Sequence, residues 1–279
     1  MYALLKKRRD IALKNLRRAF GGKRSEAELA RICRGSFRNL GQTALEFLRF
    51  PLLTFDNIWD EVTVTGREHL LQALSGGKGA VVFLPHMGNW ELLAPVYGAL
   101  IPHQARAIAF PLKNPYLDAL VCAYRERLSL RLIYRKQAVR ETLRALRANY
   151  AVGFFADQNA GREGVFVDFF GEPASAVRGP VALSLKTGAP ILLSLAIRQP
   201  DDRHRVIICP PVPLQVSGDF DHDVAVNTQR ILAQLEGYIN AHPEQWLWMH
   251  DRWKTRPDSA WQQKRQTQRR QHAGIERTE

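Results

Sequence analysis

Between residues 62 and 241 short apolar runs alternate with segments of helical length, and this alternation constrains the fold more than any other feature. The run Gly79-Ala80-Val81-Val82-Phe83-Leu84 contains no polar side chain. A strand of that kind is covered on both faces, so it belongs inside a sheet that carries helices on either side. Strands are predicted at 62–65, 79–84, 105–110, 131–134, 152–156, 190–197 and 205–209. Helices are predicted between them at 68–74, 89–100, 115–128, 138–148, 180–187 and 223–241, the second bending at Pro95. The expectation is an α/β fold with a central, mostly parallel or mixed sheet flanked by helices. At 279 residues the chain is long enough to bury the core of one such domain.

A helical segment precedes the sheet. Residues 3–20 read as a basic helix with Leu5, Ala12, Leu16 and Ala19 on one side. That helix either packs on the body or lies on a membrane surface. Gly21-Gly22 ends it. Ser25 and Glu28 have the spacing of a capping box, which starts a second helix running to about Phe50, where Pro51 stops it. The expected organisation is a basic helical segment 1–50, an α/β domain 51–257, and a polar, Gln/Arg-rich, disordered tail 258–279.

Charge limits the partners. The chain carries a net +13 with an isoelectric point near 10.0, a balance typical of proteins that meet nucleic acid or anionic membranes. Nine basic residues against Asp10 give residues 1–24 a net +8, and residues 252–270 carry +6, whereas 25–251 sum to zero. A neutral body between basic ends, without a nucleic-acid-recognition motif, suits an anionic membrane surface and not a nucleic acid. The longest apolar-rich stretches, near 80–84 and 92–101, fall short of the about 20 residues a membrane span needs. The basic start is not followed by the apolar core of a signal peptide, so peripheral attachment from the cytoplasmic side is expected. Cys33, Cys122 and Cys209 are far apart and form no CxxC pair, so they are expected to be reduced, buried thiols that make neither a disulfide framework nor a metal site.

Five segments carry possible chemistry. His86 and Glu91 follow the apolar strand in Pro85-His86-Met87-Gly88-Asn89-Trp90-Glu91, at the strand end where α/β sheets gather ligands. Five residues along one helix would separate the two side chains by roughly 140°. They meet only if His86 lies in a turn that Gly88 permits and Asn89 caps the helix after it. Glu91 would then bond Nδ1 of His86 and leave Nε2 to take a hydroxyl proton. The competing reading is a structural histidine beside a solvated first-turn acid. Asp157-Gln158 follows another apolar strand and suits a contact to a polar substrate group, the orienting of a neighbouring side chain, or a turn cap. A basic stretch (Arg125, Arg127, Arg131, Arg135, Lys136, Arg140, Arg144 and Arg147) suits an anionic partner or a solvated face. Residues 165–171 line an acyl groove or belong to the core. Trp246, Trp248 and Trp253 beside cations suit a membrane interface or core packing equally.

In combination these segments resemble the late acyltransferases of lipid A biosynthesis. The resemblance runs from about Arg8 to Pro257. Its carriers are residues 15–20 (NLRRAF), 86–91 (HMGNWE), 113–115 (KNP), Asp157-Gln158, 165–171 (VFVDFFG), 187–190 (TGAP), 243–248 (PEQWLW) and 252–257 (RWKTRP). It implies a glycerolipid-acyltransferase-like α/β fold and transfer of a fatty acyl chain to a hydroxyl of a lipid A precursor. The implied donor is acyl carrier protein, with acyl-CoA as the alternative, and the implied place is the cytoplasmic face of the inner membrane. No metal or other cofactor is implied. His86 matches the family's general base and Glu91 its orienting partner. Arg125, or alternatively Arg127, matches a phosphate-binding arginine, and Asp157 an acidic position near the site. Asn89 joins the substrate-binding candidates. Two positions depart from the family pattern. The given sequence starts at the basic segment that an apolar helix usually precedes, so either the start is internal or this member binds peripherally; and Phe110 occupies a position usually polar, which leaves another glycolipid or a lysophospholipid as alternative acceptors. The rival classes are a non-catalytic lipid-binding adaptor and a basic nucleic-acid-binding protein.

Overall fold

A computed structural model describes residues 2–134 and 138–259. Two helices, α1 (Lys6–Phe20) and α2 (Glu26–Phe47), lead through a 3-10 turn at Phe50–Leu52 and a short α3 (Ile58–Glu61) into the sheet. Then follow β1 (Val62–Thr65), α4 (Arg67–Ser75), β2 (Ala80–Leu84), α5 (Leu93–Leu100), β3 (Ala105–Ala109), α6 (Pro115–Arg125), β4 (Arg131–Tyr134), α7 (Ala138–Arg147) and β5 (Ala151–Phe155). The chain closes with β6 (Val165–Phe169), β7 (Glu172–Ala176), α8 (Gly179–Thr187), β8 (Ile191–Arg198), β9 (His204–Ile208) and α9 (Phe220–Ala241).

The fold is α/β, as the alternation predicts. Seven strands form one sheet in the order β1-β9-β8-β2-β5-β3-β4. All neighbours run parallel except β8 and β9. The wholly apolar β2 sits in the middle, buried along its full length. The carboxyl ends of β2, β5, β3, β4 and β8 therefore share one edge of the sheet, and the amino ends of β1 and β9 lie on that edge too.

Two local expectations change. The second helix stops at Phe47, short of Phe50, because the chain tightens into a 3-10 turn that accepts Pro51 in its first turn. The helix expected from Asn89 opens as a 3-10 turn at Trp90–Leu92 before α5. A third element has no counterpart in the sequence reading. Residues 165–171 are half of an antiparallel hairpin, β6–β7, outside the main sheet. Its two-residue turn is Phe170-Gly171, both at positive φ (53° and 74°), so a phenylalanine stands where Asn or Gly usually announces such a turn. Val167 and Phe169 point into the core, which makes this segment a packing element and not a groove wall.

The helical segment 1–50 shares its core with the sheet. Ala12, Leu16, Ala19 and Phe20 of α1 pack in one cluster with Val81 and Phe83 of β2 and with Trp246, Trp248 and Trp253. Asn15, itself buried, donates to the carbonyls of Trp248 (2.9 Å) and His250 (2.6 Å). Of the two readings of α1, the structure selects the packed helix. The three tryptophans are all buried, which selects core packing over a membrane interface. The Ser25–Glu28 capping box forms with both of its hydrogen bonds. All three cysteines are buried and free. No helix among the described residues is long and apolar enough to cross a membrane. Arg135, Lys136 and the tail beyond residue 259 lie outside the described residues.

Candidate active site

The polypeptide leaves β2 at Leu84 and turns through Pro85-His86-Met87-Gly88. Gly88 has φ +57°, and a Cβ there would lie 2.0 Å from the carbonyl oxygen of Ala196, so only glycine lets the loop press onto β8. The loop is clamped from two further sides. Gly88 N–H donates to Gln245 O (2.9 Å), and Leu247 N–H donates to His86 O (3.1 Å). Asn39 (2.9 Å) and Thr43 (3.2 Å) of α2 donate to Gly88 O.

His86 stands two residues beyond Leu84, and Asp157 stands two residues beyond Phe155. Leu84 and Phe155 are register partners of the parallel β2–β5 pair, so the sheet itself sets His86 beside Asp157. Nδ1 of His86 lies 2.7 Å from Oδ1 of Asp157. Oδ2 of Asp157 accepts from the His86 backbone N–H (2.9 Å) and from Nε1 of Trp246 (2.9 Å). Asp157 is 1% exposed. Burial alone would push its carboxyl up, but the His86 ring, the backbone bond and Trp246 outweigh that and hold it below the usual carboxylate range. An ionised carboxylate only accepts, so Nδ1 carries a ring proton, and in the neutral imidazole Nε2 is then the acceptor. The imidazole packs between Phe155 (4.9 Å between ring centroids) and Trp90 (5.5 Å) with 20% of its side chain exposed.

This corrects the geometry expected for Glu91. Its carboxylate does not reach Nδ1 of His86. The 3-10 turn after Asn89 swings Glu91 toward the end of α6, where Arg125 grips it through two bonds of 2.8 Å each, from Nε and Nη2. Nε1 of Trp90 adds a third, at 3.2 Å. The two motif residues therefore belong to two separate pairs, the hydrogen-bonded His86–Asp157 and the ion-paired Glu91–Arg125, with Trp90 between them.

Asn89 occupies the N-cap position but makes no cap bond. Fully buried, it donates to Oε2 of Glu46 (2.6 Å) and presents no surface to a substrate. Glu46 also binds Arg198 and His204 (3.3 Å). Burial would raise the Glu46 carboxyl, but the bonds from His204 and Arg198 hold it at about 2. This anchor of the loop is absent from the sequence reading because its members come from α2, β8 and β9. Arg127 is exposed just past α6 and belongs to neither pair. Arg140, Arg144 and Arg147 form an exposed face of α7, with Arg144 bonded to Glu141 (2.9 Å).

Behind Asp157 lie His250 and Arg252, to which the sequence reading assigns no catalytic or binding role. Nε2 of His250 accepts from Asn159 N–H (3.0 Å). Arg252 is fully buried, donates to Ser175 O (2.6 Å) and lies over Phe169 at 5.0 Å. Burial lowers Arg252 to about 10, against the pull of Asp157. A small apolar crevice of about 20 Å³, room for about one water, lies beside Phe155, lined by Leu84, Leu93, Tyr97, Ala107 and Leu130 among others.

A base with an oriented imidazole and an arginine held by a carboxylate suit transfer of an acyl group to a hydroxyl. Known proteins agree with that chemistry. The chain is 29% identical over 250 residues to a phosphatidylinositol mannoside acyltransferase of Mycobacterium tuberculosis, covering 86% of this chain and 75% of that one. It is 30% identical over 256 residues to the lipid A biosynthesis palmitoleoyltransferase of Escherichia coli, covering 91% and 81%. The lipid A biosynthesis lauroyltransferase of the same bacterium is 27% identical over 257 residues, with the same coverage. The family described as bacterial lipid A biosynthesis acyltransferases matches residues 1–255, so the chain belongs to that family and is an acyltransferase.

Proposed function

We propose that this protein moves a fatty acyl chain from an acyl carrier protein thioester to a hydroxyl of a lipid A precursor, with His86 as general base. The observation that carries the reading is the 2.7 Å contact between Nδ1 of His86 and a buried, ionised Asp157, which leaves Nε2 as the basic atom. Nε2 takes the acceptor's hydroxyl proton as the oxygen attacks the thioester carbonyl. The C–S bond of the tetrahedral intermediate then breaks, and the proton on Nε2 passes to the departing thiolate. Asp157 orients the imidazole and offsets the positive charge it gains. Arg125, held by Glu91, turns its guanidinium toward a phosphate of donor or acceptor, which makes Glu91 a positioning residue for Arg125.

The relatives act on lipid A and on a phosphatidylinositol mannoside, and both are glycolipids, so the acceptor class is a glycolipid. The protein works at the cytoplasmic face of the inner membrane and attaches there from the surface. With purified protein, acylated carrier protein and a lipid A precursor, His86→Ala is expected to lower transfer by about a thousandfold while the melting temperature holds. Transfer at the wild-type rate in that variant rejects the mechanism.

A further inference from the structure

Two exposed apolar segments converge beside the candidate active site. The first runs from the end of α2 to α3 and presents Leu45, Leu48, Leu52, Phe55 and Trp59, with Leu52 69% exposed. The second is the approach to α6 and its first turns, presenting Leu112, Tyr116, Leu117 and Leu120, with Tyr116 86% exposed. These nine make up more than half of the exposed large apolar side chains of the described residues. The segments are neighbours. Phe47 and Tyr124 pack at 5.4 Å between ring centroids, and α6 touches the 3-10 turn at Phe50–Leu52. Both lie on the sheet edge that carries His86, since α6 follows the carboxyl end of β3 and residues 50–61 lead into the amino end of β1.

Basic residues border the apolar surface. The exposed stripe of α2 and its C-cap reads Arg34, Arg38, Leu45, Leu48, so its arginines stand about two to four turns from its leucines. An apolar groove along this stripe is lined by Tyr2, Phe37, Leu45 and Leu48 together with Arg34 and Arg38. Arg49 and Lys113 are exposed beside the leucines of the two segments. Asp56 and Asp60 are exposed in the first segment and Arg49 pairs with Glu61 (3.5 Å), so Arg34, Arg38 and Lys113 are the cations that suit the boundary between these apolar side chains and anionic headgroups.

We infer that this face docks on an anionic lipid bilayer, with Leu45–Trp59 and Leu112–Leu120 entering the acyl-chain boundary, so that the His86 site opens onto the membrane. The inference deepens the reading of a lipid acceptor and rests on it. It also moves membrane attachment away from the basic chain ends.

Flotation of the full-length protein tests it, with phosphatidylglycerol-containing vesicles against pure phosphatidylcholine vesicles. Wild type should float with the anionic vesicles. Leu48→Glu/Leu52→Glu and Tyr116→Glu/Leu117→Glu should each lower the bound fraction by about tenfold. Val216→Glu, exposed at the opposite edge of the sheet, should float like wild type. If the glutamates unfold the chain, serine at the same positions gives the same comparison. Undiminished flotation of both double variants overturns the inference. So does loss of flotation in Lys6→Glu/Lys7→Glu alone, or loss of carrier-protein binding in double variants that still float. Transfer onto a detergent-dispersed acceptor separates the two readings. A wild type that floats but transfers nothing defeats the enzymatic reading alone, and one that transfers but does not float defeats the docking face alone.

Discussion

Asp157 and Glu91 are two carboxylates near one histidine, and the fold holds them in opposite ways. Asp157 is 1% exposed, reaches His86 across a strand pair 71 residues away in sequence, and accepts three hydrogen bonds. The Glu91 side chain is 17% exposed, lies five residues from His86, and spends both oxygens on Arg125. Proximity in sequence therefore misidentifies the histidine's partner. Parallel-sheet register decides it, because side chains two residues past paired strand ends stand side by side.

The largest expected difference follows from the buried pair. Asp157→Asn keeps the shape but can donate to Nδ1, which favours the tautomer with its proton on Nε2. Transfer should fall by about a hundredfold or more in kcat. A variant near wild-type activity would break the comparison at its stronger end. Glu91→Gln removes the charge that holds Arg125 but leaves the His86–Asp157 bond intact. It should cost about tenfold, mainly in KM, and Arg125→Lys should resemble it, since an ammonium cannot make the two-pronged bond. If the two substitutions together cost no more than either alone, Glu91 acts through Arg125. A Glu91→Gln loss equal to that of Asp157→Asn, confined to kcat, would return Glu91 to the histidine.

The smallest effect on chemistry and a clear one on stability belong to Glu46. Its carboxyl is held at about 2, below its unfolded value, so its contribution is complete above the ordinary carboxylate range. That contribution disappears as pH falls through about 2. Glu46→Gln should cost about 3 kcal/mol at neutral pH in urea denaturation, and the gap from wild type should narrow on acidification. A gap independent of pH would show that packing, not charge, holds the His86 loop to α2.

Much of this was legible locally. The apolar run at β2 marks the sheet's centre, and the His86 motif after it marks the edge where the site lies, because both signals are complete within a dozen residues. The Ser25–Glu28 cap is equally local. The β6–β7 hairpin was hidden because Phe170 takes the positive φ that Asn or Gly normally advertises. The His86–Asp157 pair was hidden because it depends on β5 lying beside β2 while β3 and β4 lie beyond it. Trp246, Arg198 and His204 join the site through the same long-range order. The basic start gave an even choice between membrane and body, and only the burial of Ala12, Asn15, Leu16 and Phe20 resolves it.

The central claim is that Asp157 fixes the proton of His86 on Nδ1. Nitrogen NMR of the resting protein labelled at histidine nitrogen reads that directly. The expected spectrum is that of a neutral His86 with Nδ1 protonated and Nε2 bare, shifting toward the other tautomer in Asp157→Asn. A His86 protonated on Nε2 in the wild type, or a signal unchanged in Asp157→Asn, would contradict it.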